Sequence, residues 1–173
     1  MAATMLRGPR LILRAPEPSD LDAFCRWEND TSAWESGSTF APLSRHQLYS
    51  YIANYSADIV GEHQLRLVAE VDGSPVGAID LFDFDALNAR CGVGIIIDPA
   101  MRGRHLALEA LTLTADYARR RLGLRQLWCH VAEDNKASRR LFEAAGFEIS
   151  GCLRSWLRRG AEFKDVVIYQ LLF

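Results

Sequence analysis

The residues best suited to chemistry lie in one continuous stretch, where an apolar run gives way to a basic turn and then to a helical pattern. Residues 93–97 are almost all β-branched, and the run stops at Asp98-Pro99. Arg102, Gly103 and Arg104 follow, and helical spacing begins after them. A strand, a turn and a helix N-terminus in this order direct unpaired backbone N–H groups and the positive end of the helix dipole at one point. The stretch therefore predicts a site for a phosphate or pyrophosphate group.

Two common phosphate-binding loops do not fit this turn. A P-loop requires a Gly-Lys-Ser/Thr ending, and a dinucleotide-binding loop requires three spaced glycines, of which only Gly103 is present. The stretch instead resembles motif A of the GNAT superfamily of N-acetyltransferases, in which an Arg/Gln-x-x-Gly-x-Gly/Ala turn wraps the pyrophosphate of coenzyme A. Arg102 and Ala107 occupy the first and last positions of that motif, and His105 stands where the middle glycine is usual.

A second motif extends the resemblance. Residues 135–147 read Asn-Lys-Ala-Ser-Arg-Arg-Leu-Phe-Glu-Ala-Ala-Gly-Phe, which is similar to GNAT motif B, Asn-x-x-(Ala/Ser)-x-x-Leu-(Tyr/Phe)-x-x-x-Gly-Phe. Helical spacing places Ser138 and Phe142 on one face, and Gly146 suits the position that ends a helix.

The two ends of the chain resemble particular GNAT subgroups. Residues 11–20 and 160–166 are similar to segments of the polyamine (spermidine/spermine) acetyltransferases and of the ribosomal-protein alanine acetyltransferases. The resemblance implies a single α/β domain over residues 1–173, with a mixed, twisted central sheet of about six to seven strands and helices on both faces. The residue pattern predicts strands at 11–14, 65–71, 76–82, 88–97, 126–131, 147–156 and 162–172, and helices near 19–29, 44–58, 102–121 and 135–145.

Composition is typical of a globular protein, with 49% hydrophobic and 24% charged residues. No apolar run approaches the roughly 18 residues of a membrane-spanning helix, and no secretory signal is predicted, so we expect no membrane partner. The four cysteines lack Cys-x-x-Cys or zinc-site spacing, which favours buried thiols, no metal site and a reducing, cytoplasmic location. The basic cluster at residues 119–125 lacks aromatic neighbours, so we expect no nucleic-acid partner.

Charge divides the chain into an acidic first part and a basic second part. Residues 1–100 contain 14 acidic residues against seven arginines and no lysine, whereas residues 101–173 contain eight acidic residues against 13 basic ones. By resemblance, the second part mostly holds coenzyme A and the first part helps to build the acceptor site. An anionic cofactor and a cationic amine would suit this division, although undirected drift of surface charge explains it equally well.

The resemblance implies acetyl-CoA as co-substrate and assigns its contacts. The pantetheine arm would pair like an extra strand with Ile95, Ile96 and Ile97. A backbone N–H of Ile96 or Ile97, with Ile97 assigned the catalytic role, would donate to the thioester carbonyl and to the developing oxyanion. The other residues expected to bind the cofactor are Arg102, Gly103, Arg104, His105, Leu106, Ala107, Asn135, Ser138 and Phe142.

His105 and Phe142 depart from the family pattern. Histidine can replace the motif A glycine only if its φ stays negative, as in the first turn of a helix, and on that basis we expect coenzyme A still to bind. Many relatives carry tyrosine at Phe142 as the acid that protonates the departing thiolate, and phenylalanine has no such proton. Ser138 resembles a position where the alanine acetyltransferases have a hydroxyl. Water is an equal alternative, and an inactive site is the third.

An acceptor amine, with a pKa of about 10, must lose a proton before it attacks. Asp80 is the first candidate to accept that proton, because it interrupts the apolar run 76–82 and resembles an acidic position that polyamine acetyltransferases use near their substrate. Pairing of Asp80 with an arginine, or exposure at a sheet edge, is an equally open alternative. His130 is interpreted as a structural residue of a sheet face. The residues expected to contact the acceptor are Trp34, Glu35, Asp80 and Asp83.

The resulting hypothesis is an acetyl-CoA-dependent N-acetyltransferase that works by direct attack in a ternary complex. The acceptor is a primary amine, by resemblance a polyamine or another small cationic amine. Two alternatives stay open, namely acetylation of a protein N-terminus, with a ribosomal protein as the model, and a coenzyme A-binding module without catalysis. The resemblance also favours a homodimer or a higher homo-oligomer.

Overall fold

The computed structural model describes residues 6–34 and 41–173. Its strands are β1 (Ile12–Arg14), β2 (Leu65–Val71), β3 (Ser74–Asp85), β4 (Arg90–Ile97), β5 (Gln126–Ala132), β6 (Glu148–Arg159) and β7 (Glu162–Leu172). Its helices are α1 (Leu21–Glu28), α2 (Thr31–Trp34), α3 (Arg45–Ala53), α4 (Ile59–Glu62), α5 (Leu106–Arg120) and α6 (Lys136–Ala144). Short 3-10 turns at Pro18–Asp20 and Pro99–Met101 precede α1 and the turn before α5.

The described strands form one mixed sheet in the order β1-β2-β3-β4-β5-β7-β6. Neighbouring strands run antiparallel except for β4 and β5, which are parallel and are connected through α5. The predicted mixed α/β sheet is therefore confirmed. The parallel pair joins the meander β1–β4 to the C-terminal strands β5, β7 and β6.

Helices pack on both faces of this sheet and enclose two hydrophobic cores. Buried residues of α5, such as Leu111, pack with Ile79, Val93 and Leu127 on one face. On the other face, α1 and α3 pack against the sheet in a smaller core, formed by Ala23, Phe24, Trp27, Leu48, Ile52, Val68 and Ala78. The two faces are called the α5 face and the α1 face below.

Residues with positive φ shape the β2–β3 hairpin and the ends of α5 and α6, as the sequence predicted. Asp72 and Gly73 both take positive φ, 48° and 77°, which suits the two-residue hairpin between β2 and β3. Gly123 and Gly146, with φ of 67° and 89°, follow α5 and α6. The Leu124 N–H donates to Ala118 O at 3.0 Å, which closes the end of α5. The glycines predicted to end both helices are confirmed.

Two details of the helices differ from the sequence prediction. The helix expected over 44–58 ends early, because α3 stops at Ala53; a separate short helix, α4, follows, and Asp58 caps it by accepting from the N–H groups of Val60 and Gly61. Helix α5 begins at Leu106, so residues 102–105 form a turn outside it. Its buried face consists of Leu106, Ala110, Leu111, Thr114 and Ala118.

One residue of this buried face, Thr114, is polar. Thr114 is fully buried because its hydroxyl donates to Ala110 O at 2.9 Å, so a polar residue can lie where periodicity expects an apolar one.

All four cysteines are free thiols, and Cys91 and Cys129 are buried. Burial raises the pKa of both thiols to about 12, which keeps them protonated. Among the described residues, no helix is long and apolar enough to cross a membrane.

Candidate active site

The central feature of the site is a split between β4 and β5. The ladder between these strands has its last pair at Gly92 and Trp128. Strand β4 nevertheless continues to Ile97 and β5 to Ala132. Beyond the last pair, no strand of the described residues pairs with the β4 edge that faces β5, so the N–H groups of this edge are available to a ligand that takes the place of a strand.

The register of β3 and β4 decides which N–H groups face the split. The Asp98 N–H donates to Val76 O of the β3 side at 2.9 Å, and Ile96 lies opposite Ala78. Because N–H direction alternates along a strand, the Ile96 N–H also points to β3, whereas those of Ile95 and Ile97 point into the split. Of the two donors that the sequence allowed, only Ile97 is therefore on the correct side.

A hollow of about 800 Å³ opens beside this strand edge on the α5 face. Its lining comes from the end of β4, the turn after it, the start of α5 and one side of α6. The lining residues are Ile95, Ile96, Ile97, Met101, Arg102, Gly103, Arg104, His105, Leu106, Ala107, Leu108, Asn135, Ala137, Ser138, Arg140, Leu141 and Ala144. Every residue expected to bind the cofactor lines this hollow except Phe142.

Phe142 lies in the core instead. Its side chain is 4% exposed, with ring centroids 5.1 Å from Phe147 and 6.5 Å from Tyr169. Phe142 was expected to bind the cofactor, but the structure places its side chain in the core and not on the hollow. The surface of α6 that lines the hollow runs through Ala137, Leu141 and Ala144, a helical spacing that the sequence contains and that the prediction missed.

The basic turn before α5 has the shape of a glycine turn although it contains a histidine. Gly103 has φ of 75°, and His105 has φ of 59° with ψ of 15°. The expectation that His105 keeps a negative φ is therefore wrong, and histidine takes the left-handed conformation that glycine would take. The Arg102 Nε donates to Ile97 O at 3.2 Å, which fixes the turn to the end of β4.

The N-terminus of α6 supplies the other wall. The Asn135 side chain accepts from the Ser138 N–H at 3.1 Å, which caps the helix and fixes where the serine stands. Ser138 carries the only hydroxyl among the described lining residues of the hollow. Three arginines, Arg102, Arg104 and Arg140, also line it, so its charge suits an anion.

On the α1 face, Asp80 pairs with an arginine. The Arg66 guanidinium donates from Nε and Nη2 to the two Asp80 carboxylate oxygens at 2.7 and 2.8 Å, and from Nη1 to Glu28 Oε1 at 2.6 Å. It also lies 5.6 Å from the ring centroids of both Phe24 and Tyr51. Burial alone would lower the pKa of Arg66, but its hydrogen bonds and the charges of Asp80 and Glu28 raise that pKa.

This cluster carries two carboxylates for one guanidinium, so it holds a net negative charge beside the split. Asp80 lies opposite Gly94 of β4 in the register. A Cβ added at Gly94 would have its nearest heavy atom, on the Phe82 ring, 3.8 Å away, so the sheet surface at Gly94 is bare. Space for a ligand therefore adjoins both the acidic cluster and the unpaired edge of β4.

A second hollow, of about 560 Å³, lies on the same α1 face. Trp128 and His130 alternate along β5 with Leu127 and Cys129, which are buried in the α5 core, so the first pair points to the other face. The hollow is lined by Asp83, Asp85, Arg90, Gln126, Trp128, His130, Ser150, Ile168 and Gln170. It runs along the whole β4–β5 ladder, from the first pair, Arg90 and Gln126, to Trp128 of the last pair and His130 beyond it.

His130 is the functional candidate that the sequence did not single out. Its exposed ring lies 5.0 Å from the Trp128 ring. Desolvation lowers the pKa of His130 below 6.5, although the charge of Asp83 acts in the opposite direction. A histidine that is neutral near pH 7 and lines a hollow is suited to accept a proton. The alternation of Trp128 and His130 with buried residues was the sequence signal for it.

The other three residues expected to contact the acceptor lie in different places. Asp83 lines the second hollow and makes no hydrogen bond or ion pair with any described residue. Trp34 ends α2, and its Nε1 donates to Glu28 O at 2.7 Å, which ties α2 to the acidic cluster. Glu35 lies outside the described residues. Within residues 6–34 and 41–173, no three potential ligands are grouped to hold a metal ion.

Comparisons with known proteins agree with this architecture. Residues 10–148 match the family model of the acetyltransferase (GNAT) domain. Spermidine N(1)-acetyltransferase of Escherichia coli (strain K12) is 30% identical over 113 residues, which are 65% of this chain and 61% of that protein. The chain therefore spans less than two thirds of the length of this relative.

Solved structures share the fold over almost the whole chain. Spermidine N-acetyltransferase from Vibrio cholerae, in complex with CoA and spermine, superposes with a TM-score of 0.85 at 24% identity, over 95% of this chain and 96% of that one. A ribosomal L7/L12 alpha-N-protein acetyltransferase in complex with coenzyme A gives a TM-score of 0.83 at 19% identity, over 96% of both chains.

Proposed function

Because the chain belongs to the GNAT family of acetyltransferases, whose domain model matches residues 10–148, we propose that it acetylates the primary amine of a polyamine or a similar small cationic molecule. The observation that carries this proposal is the pairing of a basic hollow on one face of the β4–β5 split with an acidic, aromatic surface on the other. Spermidine acetyltransferases are among its relatives in both sequence and fold.

The hollow on the α5 face fits coenzyme A. Its turn offers backbone N–H groups at a helix N-terminus, Arg102 and Arg104 supply positive charge for a pyrophosphate, and the unpaired edge of β4 suits an extended pantetheine arm. Acetyl-CoA, when bound, supplies the acetyl group as a thioester. The Ile97 N–H then donates to the carbonyl oxygen and stabilises the negative charge that develops on it.

Ser138 is the proposed proton donor to the thiolate. Its hydroxyl is the only one among the described residues that line the cofactor hollow, and Asn135 fixes its position. The demand on this acid is small, because a thiol with a pKa of about 8.5 leaves readily even with water as the donor.

The acceptor occupies the α1 face in this proposal. The bare surface at Gly94 leaves room for the amine, and the Glu28–Arg66–Asp80 cluster attracts its positive charge. Asp80 acts through this charge, because both of its oxygens already accept from Arg66. His130, neutral near pH 7, takes the proton of the attacking ammonium.

The test is acetyl-CoA turnover, followed by thiol release, with spermidine, spermine, putrescine, an aminoglycoside, and peptides that begin with alanine or serine. We expect turnover with the polyamines and none with the peptides. Turnover with peptides alone would assign protein N-terminal acetylation instead. Tight acetyl-CoA binding without any turnover would leave a binding module as the better account. Light scattering on the same sample tests the predicted homodimer.

A matched variant tests where the acceptor binds. Gly94→Val adds a side chain to the bare surface, where a Cβ has its nearest heavy atom 3.8 Å away, and should raise the KM for the amine about tenfold, since it removes contact area and room for the amine. The KM for acetyl-CoA should stay within about twofold, because the variant leaves the α5 face unchanged. Equal increases in both KM values would contradict an acceptor site on the α1 face.

A further inference from the structure

The segment before β1 reaches across the molecule to the basic turn before α5. The Arg10 guanidinium donates from Nη1 to Arg104 O at 2.7 Å and from Nη2 to His105 O at 3.2 Å. Arg10 and the turn are separated by more than 90 residues in the chain. The two carbonyl oxygens that it binds belong to the residues that end the phosphate-sized turn.

Glu109, in the first turn of α5, fixes Arg10 in this position. Its carboxylate accepts from Arg10 Nε at 2.7 Å, from the Arg10 N–H at 2.8 Å and from the Leu11 N–H at 3.2 Å. The Glu109 side chain is 11% exposed. Burial alone would raise the pKa of Glu109, but these hydrogen bonds lower it, so the carboxylate stays charged. A Cβ at Gly8 would lie 2.3 Å from Glu109 Oε1, so only glycine leaves this carboxylate its room.

Holding the two carbonyl groups also orients two N–H groups. A trans peptide unit is planar, and its C=O and N–H point in opposite directions. With the carbonyls of Arg104 and His105 directed at Arg10, the N–H groups of His105 and Leu106 point away from it. Both of these residues line the cofactor hollow. The His105 carbonyl also accepts the first backbone bond of α5, from the Glu109 N–H at 3.3 Å; Arg10 adds a second donor to it and binds the Arg104 carbonyl as well. Together these bonds aim the donors that an anion at the helix N-terminus requires.

The turn needs an external hold because of His105. Its φ of 59° is unfavourable for a residue that carries a Cβ, and its side chain makes no capping hydrogen bond to α5. A histidine released from its neighbours would relax towards negative φ. That rotation would turn the N–H groups of the turn away from the hollow.

We propose that Arg10, supported by Glu109, is a positioning residue that holds the end of the turn, Arg104 and His105, in its anion-binding form. Its guanidinium acts on the backbone of the turn from the side of the carbonyl groups and does not contact the bound anion. The strained His105 makes the chain dependent on this hold. The inference concerns cofactor binding, so it stands whichever amine is the acceptor.

The test is titration calorimetry with coenzyme A, which needs neither an acceptor nor turnover. Arg10→Ala should raise the Kd for coenzyme A about tenfold, because charge-assisted hydrogen bonds that set the turn are lost. Arg10→Lys should lose nearly as much, since an ammonium keeps the charge but not the fork that binds two carbonyls and Glu109. Arg7→Ala is the matched control, because it removes an arginine of the same segment that makes no side-chain bond to any described residue; its Kd should match that of the original chain.

A second variant separates positioning from charge. Glycine takes positive φ without strain, so in the His105→Gly background Arg10→Ala should raise the Kd only about twofold. With His105 retained, the steady-state kinetics of Arg10→Ala should show a raised KM for acetyl-CoA, with kcat within about twofold of the original chain. An unchanged Kd for Arg10→Ala, full retention of affinity by Arg10→Lys, or the same tenfold loss in both backgrounds would overturn the proposal. Melting temperatures of all variants show whether the fold is kept.

Discussion

The two faces of the β4–β5 split are built in different ways. On the α5 face, the surface comes from two continuous stretches of the chain, within residues 95–108 and 135–144. On the α1 face, it consists of long charged and aromatic side chains from separate elements, such as Glu28, Arg66 and His130. Two continuous stretches suit a ligand that never changes, whereas side chains on separate elements can be replaced one at a time to change the acceptor.

We expect the largest effect on catalysis from the loss of a backbone group, the N–H of Ile97. Ile97→Pro removes the N–H that faces the split without breaking the β3–β4 ladder, because that N–H is not part of it. We expect kcat to fall about 100- to 1000-fold, the usual loss when one oxyanion donor is removed. Ile97→Val is the control, since it keeps the N–H and most of the side chain, and its kcat should stay close to that of the original chain. Similar activity of the two variants would mean that the backbone here does no chemistry.

The largest effect of a side chain is expected on the α1 face. His130→Gln should lower kcat/KM for the amine about 100-fold, because the proton acceptor is lost. In the original chain, kcat/KM should fall as the pH drops through the lowered pKa of His130, below 6.5, since the protonated imidazole cannot accept a proton. The variant should lack that step. A pH profile that is identical in both proteins would remove His130 from the mechanism.

Ser138→Ala tests the proposed proton donor on the α5 face of the split. We expect a fall in kcat of about tenfold or less, because water can replace the hydroxyl as donor to a good leaving group. The KM for acetyl-CoA should be almost unchanged, as the backbone contacts of the hollow remain. Rescue of kcat by Ser138→Thr would support a proton donor, and an unaltered kcat in Ser138→Ala would assign the task to water.

The smallest effect on kcat is predicted at Phe142, the position where many relatives carry tyrosine. Phe142→Tyr places a hydroxyl in the core between Phe147 and Tyr169 and should destabilise the fold by about 1–3 kcal/mol if it finds no partner. Phe163→Tyr is the control, because Phe163 is 57% exposed and a hydroxyl there stays in water. If Phe142→Tyr melts normally and raises kcat, residue 142 reaches the cofactor and its assignment to the core is wrong.

These expectations rest on features that differ in how well the sequence predicts them. Local patterns predicted the strands, the glycines that end α5 and α6, and the α5 face of the split, because that face comes from continuous motifs. The pairing of Asp80 with Arg66 depends on the register of β2 and β3, which neither strand contains by itself. The positive φ of His105 depends on Arg10, a residue from the other end of the chain. Properties that require distant segments to meet were the ones that the sequence left open.

The most direct test of the account is the initial-rate pattern when acetyl-CoA and a polyamine are varied together. The account has both ligands bound at once, one on each face of the split, with the acetyl group passing directly between them. It predicts intersecting lines in double-reciprocal plots and no acetylated protein when acetyl-CoA is incubated alone. Parallel lines, together with an acetyl group found on the chain by mass spectrometry, would contradict it.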